Sequence, residues 1–279
     1  PLKDGVLELY HGPTLAFKDM ALQILPHLMR ASCRAVGETR EILILVATSG
    51  DTGKAALEGF AGQSGTRVIV FYPDGGVSEA QKLQMVTQEG DNVRVVAVEG
   101  NFDDAQTGVK RIFTSQTVRE QLNARGIVLS SANSINLGRL LPQIAYYFSA
   151  YADSVLQGVI APGEPLNVCV PTGNFGNILA AAYARRMGLP LGRLICASNR
   201  NHILTDFIRT GIYDRRREFY TTSSPSMDIL ISSNLERMLF ELSGRDDMCV
   251  CEWMDSLREN GIYALHGGAL RTLQEEFFG

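Results

Sequence analysis

Cysteine is scarce and unpatterned. The five residues in 279, Cys33, Cys169, Cys196, Cys249 and Cys251, make an odd number with no Cys-x-x-Cys spacing. That leaves no disulfide scaffold and no thiol redox motif to read. Cys169 and Cys196 lie in apolar, strand-like runs, so the expectation is buried free thiols in a reducing cytoplasm. Histidine is equally sparse: His11, His27, His202 and His266 stand far apart, with no H-E-x-x-H and no clustered carboxylates. No metal site is expected. Excess charge is missing too. The balance is 26 basic against 30 acidic residues, net −4, and the only basic run is 215–217. Nucleic acid and anionic membranes are therefore excluded as primary partners. Apolar runs such as 42–47 fall far below the roughly 20 residues of a membrane span, and no signal-like segment is visible at the start. A G-x-G-x-x-G dinucleotide fingerprint is absent.

What is present is a regular alternation of strand and helix patterns. Strands are expected at 6–10, 41–47, 67–72, 93–98, 127–129, 166–171 and 194–197. Helices are expected at 16–34, 52–61, 78–88 with Ser78 as N-cap, 102–123, 137–156 interrupted by Pro142, and 175–187. Beyond residue 200 the pattern weakens, with helical stretches at 227–242 and 248–260. Near-continuous apolar strands between amphipathic helices imply parallel sheets covered on both faces, in an open, doubly wound α/β architecture. The chain opens on Pro1 instead of Met and ends at Gly279 just after an aromatic, helix-like segment, so a piece of a longer protein is expected.

In such folds ligands bind at the carboxyl ends of strands, beside helix N-termini. Three segments occupy that position. In the first, the strand at 166–171 runs into Thr172-Gly-Asn-Phe-Gly-Asn177. Its glycines allow close backbone approach, and free N–H groups at a helix start suit a phosphate. The second, Thr48-Ser-Gly-Asp-Thr-Gly53, also joins strand to helix and can cradle an anion. Despite Gly53-Lys54 it is not a P-loop: Thr48 stands where the first glycine belongs, and Ala55 where Ser or Thr would hold Mg²⁺. The third is His11-Gly-Pro-Thr-Leu-Ala-Phe-Lys18-Asp19, where a lysine follows Ala16 and Phe17. A lysine in apolar surroundings has a lowered pKa and can form an imine. A candidate imine lysine, a phosphate cup and an anion-binding turn are together the parts of a pyridoxal 5'-phosphate (PLP) site.

HGPTLAFKDMALQ (11–23), ATSGDTGKAALEGF (47–60), SSANSINLGRLLPQIAYYF (130–148) and PTGNFGNILAAAYARRMGLP (171–190) resemble bacterial and fungal threonine synthases, tryptophan-synthase-β-like PLP enzymes. The resemblance implies that fold, with two subdomains and the cofactor between them. It implies that 1–40 begins a large PLP domain carrying the Schiff-base lysine, that 41–133 is a smaller mobile subdomain, and that 134–279 completes the large one. By the same resemblance Lys18 binds PLP, and Gly173, Asn174, Phe175, Gly176 and Asn177 hold its phosphate. Thr48, Ser49, Gly50, Asp51 and Thr52 lie near the substrate carboxylate. Asn133, Asn136 and Arg139 lie near the substrate phosphate, where the Arg139 guanidinium offers bidentate donors.

The implied reaction is the conversion of O-phospho-L-homoserine and water to L-threonine and phosphate in the cytoplasm, by a monomer or homodimer. Two alternatives stay open. One is a threonine-synthase-like phospho-lyase releasing 2-oxobutyrate, ammonia and phosphate; the other is a silent PLP-binding fragment. The family extends before the HGPT segment and beyond His266-Gly-Gly-Ala269, and the partner of the PLP ring nitrogen is expected in the later extension.

Overall fold

Alternation along the apolar runs decides the layering of the first half of the chain. The computed structural model describes residues 5–279; residues 1–4, the start of the expected 1–40 segment, lie outside the described residues. Strands β1 (Glu41–Ala47), β2 (Thr66–Pro73), β3 (Val93–Val98) and β4 (Ile127–Ser131) form one parallel sheet, in the order β3-β2-β1-β4. Successive side chains of a strand point to opposite faces. Ile42, Ile44, Val46, Val68 and Val70 accordingly share one core with Leu22, Leu25, Leu57 and Phe60. These four come from helices α1 (Asp19–Leu22), α2 (Leu25–Val36) and α3 (Asp51–Phe60). Leu45 and Ala47 pack on the other face against Ala105 and Val109 of α5 (Phe102–Thr114). With both faces covered, the doubly wound parallel architecture is the one observed. The order reverses at β1, which has β2 on one side and β4 on the other. That reversal is a topological switch point, where strand carboxyl ends diverge and leave a crevice.

These elements belong to a compact unit, Gly5–Pro142, that also holds α4 (Glu79–Val86) and α6 (Gln116–Asn123). A second unit is Gln143–Gly279. It contains a parallel sheet of β5 (Leu166–Pro171), β6 (Leu191–Ala197) and β9 (Phe277–Phe278), and an antiparallel pair, β7 (Ile212–Asp214) with β8 (Ile262–Ala264). Helices α8 (Gly176–Arg186), α9 (Ile203–Thr210), α10 (Leu235–Leu242), α11 (Asp247–Asn260) and α12 (Gly267–Glu276) complete it. Tyr213 stacks on Tyr263 at 5.2 Å, and Phe207 meets both edge-on. Helix α7 (Leu137–Leu156) contains Pro142.

Several boundaries differ from expectation, each for a local reason. Residues 6–10 form no strand; nothing among the described residues pairs with them, and Val6 is 87% exposed. The helix expected at 16–34 breaks in two because Pro26, near the start of α2, has no N–H to continue the first. The helix expected at 102–123 breaks at Ser115, which turns extended and caps α6 through Val118 N–H. Helix α7 runs through Pro142 uninterrupted, although the missing N–H there forfeits the bond to the Gly138 carbonyl. Of 227–242 only α10 is α-helical, preceded by a 3₁₀ turn, Pro225–Met227. The β7–β8 pair was not foreseen. Of the two strand cysteines, Cys196 is buried but Cys169 faces solvent, because it lies with Asn167 and Pro171 on the outward face of β5. No helix among the described residues is long and apolar enough to cross a membrane.

Candidate functional site

The Lys18 loop is held from within. Asp19, buried, accepts hydrogen bonds from Thr14 N–H (2.9 Å) and Thr14 Oγ1 (2.5 Å), closing residues 14–19 into a staple. Gly12 must be glycine here, because a Cβ would collide with the Asp19 carboxylate. The staple sets Lys18 at the start of α1, with its side chain only 10% exposed. Its Nζ lies 3.2 Å from Asp51 Oδ2 and 5.6 Å from the centre of the Phe17 ring. Burial pulls the Lys18 pKa down; the Asp51 carboxylate opposes the shift and the Arg139 charge adds to it. Lys18 is thus buried beside the Phe17 ring, with a carboxylate for a partner.

The switch point supplies the other residues of this unit. The 48–52 turn leaves the carboxyl end of β1, and the 132–139 segment leaves that of the neighbouring β4. Thr48 is buried and uses its hydroxyl to build the turn: Oγ1 accepts from Gly50 N–H (3.0 Å) and Gly53 N–H (2.9 Å). Gly50 adopts φ 141°, and a Cβ there would run into the Gln81 side chain. Asp51 opens α3 and accepts a bond from Gln81 Nε2 at 2.9 Å. The half-buried hydroxyls of Ser49 and Thr52 make no hydrogen bond to described residues.

Asn136 is consumed by structure. Its Nδ2 donates to Ser131 O (2.8 Å), and its Oδ1 accepts from Gly138 N–H (2.9 Å). Asn133 Oδ1, by contrast, is buried with no hydrogen-bond partner. Arg139 is 4% exposed and donates through Nη1 to Ala132 O. Burial lowers its pKa to about 10, which leaves it cationic at neutral pH.

In the second unit, residues 173–177 link β5 to α8. The carbonyls of this turn are tied back. Ser232 Oγ donates to Gly173 O (2.9 Å), and Asn234 donates to Asn174 O through both N (3.1 Å) and Nδ2 (3.2 Å). Tyr147 OH donates to Asn177 Oδ1 (2.6 Å), with Asn177 O at 3.1 Å, and Tyr146 OH lies within donating reach of Asn177 Oδ1 and of Gln143 Oε1 (3.0 Å). The backbone N–H groups of 173–177 donate to no described residue. Pinned carbonyls and unspent N–H groups at a helix N-terminus make a cup for an anion. The left-handed residue in the turn is Phe175, φ 62°, and not a glycine. Its buried ring packs edge-on against Phe277 at 5.1 Å. Gly173 and Gly176 are needed for space: a Cβ on either would press, at 3.2 Å, on residue 227 or 234.

The sequence reading missed Gln81, Ser232, Asn234 and the tyrosine pair. Ser232-Ser-Asn234 was legible as a polar run inside a stretch read as helical. Gln81 was visible only as the third helical residue after the Ser78 cap.

Comparison with known proteins places these features in context. A family model described as pyridoxal-phosphate dependent enzyme matches residues 6–270. The chain is 48% identical to threonine synthase-like 1 of Homo sapiens, over 98% of this chain and 37% of that protein. It is 46% identical to the threonine synthase of Pseudomonas aeruginosa, over 92% of this chain and 52% of that one. The crystal structure of PLP-bound threonine synthase from Brucella melitensis superposes with a TM-score of 0.87 at 43% identity, covering all of this chain and 58% of that one. The chain thus spans between about a third and three-fifths of the length of these relatives.

Proposed function

Because the chain belongs to the pyridoxal-phosphate dependent enzyme family, we propose that it is the PLP-bearing part of a threonine synthase-type lyase. Its substrate would be O-phospho-L-homoserine, converted with water to L-threonine and phosphate. The observation that carries this reading is Lys18, a buried lysine held beside Asp51 at the switch point of a doubly wound sheet. The residues fit the cofactor family: the amine is largely desolvated, and the 173–177 turn offers unspent N–H groups to a phosphate. When bound, PLP supplies an electron sink for carbanions at the substrate's Cα and Cβ.

The chain's own residues would do the rest. Lys18 would hold the cofactor through its ε-amine and, when released, move a proton at Cα, a task suited to a lysine whose pKa is lowered by burial. The 173–177 N–H groups would bind the cofactor phosphate. Ser49 and Thr52, whose hydroxyls make no bond to described residues, would bind the substrate's carboxylate, and Asn133 would lie beside the substrate phosphate. Arg139, buried and cationic, would orient the substrate phosphate and stabilise it as it departs. Residues 41–133, which contain all four strands of the larger sheet, would form the smaller moving part, and the five free cysteines agree with a cytoplasmic setting.

The test is a visible absorbance band of the PLP-loaded protein that borohydride removes, with the pyridoxyl adduct mapped to Lys18. No band, or an adduct elsewhere, rejects the reading and leaves a silent fragment. A second reading is favoured by the 48% identity to proteins named threonine synthase-like 1: a phospho-lyase releasing 2-oxobutyrate, ammonia and phosphate. Product analysis separates the two, with threonine on one side and 2-oxobutyrate on the other.

A further inference from the structure

Lys18 and Asp51 are joined by a third residue. Gln81, in the first turn of α4, divides its amide between two tasks. Its Oε1 accepts from Ser78 N–H (3.2 Å), while Ser78 Oγ accepts from Gln81 N–H (3.2 Å), closing a capping box. Its Nε2 donates to Asp51 Oδ1 at 2.9 Å, while Asp51 Oδ2 faces Lys18 Nζ at 3.2 Å. The capping box fixes the orientation of the amide: with Oε1 on the helix start, the donor end faces Asp51. Gly50, at φ 141°, leaves the space through which the Gln81 side chain passes.

Resting on the reading of Lys18 as the cofactor lysine, we propose that Gln81 is a positioning residue: its amide holds the Asp51 carboxylate against the Lys18 ammonium and so sets the pH at which that amine becomes a nucleophile. Charged groups acting on Lys18 include Asp51, at the start of α3, and Arg139, in α7. Asp19, next in sequence, is turned to Thr14; Lys54 of α3 is turned to Glu58 and Gln88; Lys82 of α4 is turned to Asp74. Asp51 is a carboxylate that favours the ammonium, and Gln81 fixes its direction.

Gln81→Met removes the amide donor at nearly the same side-chain length. Asp51 Oδ1 then loses the bond that aims Oδ2 at Nζ, and the ammonium loses part of its support. The pH profile for trace acylation of Lys18 by acetic anhydride, read by peptide mass mapping on the cofactor-free 279-residue chain, should move down by about half a pH unit. The rate at which PLP is captured, read below the midpoint of that profile, should rise by about threefold in parallel. Asp51→Asn should move the acylation profile down further. Ser78→Ala, which removes the cap hydroxyl and leaves the Gln81 donor, should lower the melting temperature with the profile in place. Coincident profiles for wild type and Gln81→Met, both folded by circular dichroism, overturn the proposal, as does a Ser78→Ala profile displaced as far as that of Gln81→Met. The acylation readout needs no cofactor. Failure of PLP to mark Lys18 therefore rejects the functional reading alone, and an unmoved profile rejects the role of Gln81 alone.

Discussion

Asn177 Oδ1 has the hydroxyls of both Tyr146 and Tyr147 within donating reach, so removing the two hydroxyls should not be additive. Both rings are buried, and burial raises both phenol pKa values, so each hydroxyl remains a donor well above neutral pH. Tyr147→Phe leaves Oδ1 with the Tyr146 donor and costs one net hydrogen bond, about 1 kcal/mol. Tyr146→Phe leaves it with Tyr147 and costs about the same. The double variant leaves an acceptor without either donor, and that desolvation costs roughly 1–2 kcal/mol beyond the sum. The assay is urea unfolding of the four proteins without cofactor, with equal m-values as the condition for comparison. The same cycle read on PLP binding should show the double variant weakened most, because Asn177 ends the anion-binding turn. Additivity within about 0.5 kcal/mol would refute the shared-acceptor reasoning.

Lys18→Ala should abolish both the visible band and the borohydride adduct of the PLP-loaded chain, as read by absorbance and mass mapping. Arg139→Lys keeps a charge but loses the planar fork; turnover should fall at least tenfold with PLP still bound, as measured by phosphate release against absorbance titration. Burial raises the Cys196 thiol from 9.0 to about 11, so the unfolded chain loses that proton first as pH rises. The resulting stability, roughly 2–3 kcal/mol, is fully present below pH 9 and lost by about pH 11, and urea midpoints of Cys196→Ala across that range should show a flatter decline than wild type.

The sheet of the first unit was legible because its strands are apolar on both faces, a pattern that few other arrangements produce. Ala47 could be followed into a turn, and Thr172 likewise, because small residues and glycines mark where a buried strand must give way to a helix start. Pairings between distant segments were not legible. Nothing in Ser232-Ser-Asn234 says that its donors reach the carbonyls of Gly173 and Asn174; that depends on the tertiary course of a stretch whose local pattern reads as helix. Strand β7 was missed because three residues carry no measurable period, and Tyr213 and Tyr263 are paired by stacking in a core assembled from far apart in sequence.

The motif residues sort by where their polar atoms go, and the sorting changes what each should do when replaced. Thr48, Asn136 and Asp19 spend their side-chain oxygens on backbone N–H groups or on Thr14, so they build the turns. Replacing any of them should cost stability first and binding only through the turn that deforms. Ser49 and Thr52 have hydroxyls with no protein bond, and Asn133 keeps a buried oxygen unspent. A buried polar atom without a partner costs free energy in the folded chain, and Asn133 Oδ1 is one; the half-buried Ser49 and Thr52 hydroxyls are open to solvent or a ligand. Substitutions at these three should therefore leave the unfolding midpoint nearly unchanged, or raise it, while weakening substrate binding. A threonine and an asparagine occur in each class, so residue type alone does not divide them. The division follows from which backbone groups the ends of β1 and β4 leave unpaired at the switch point.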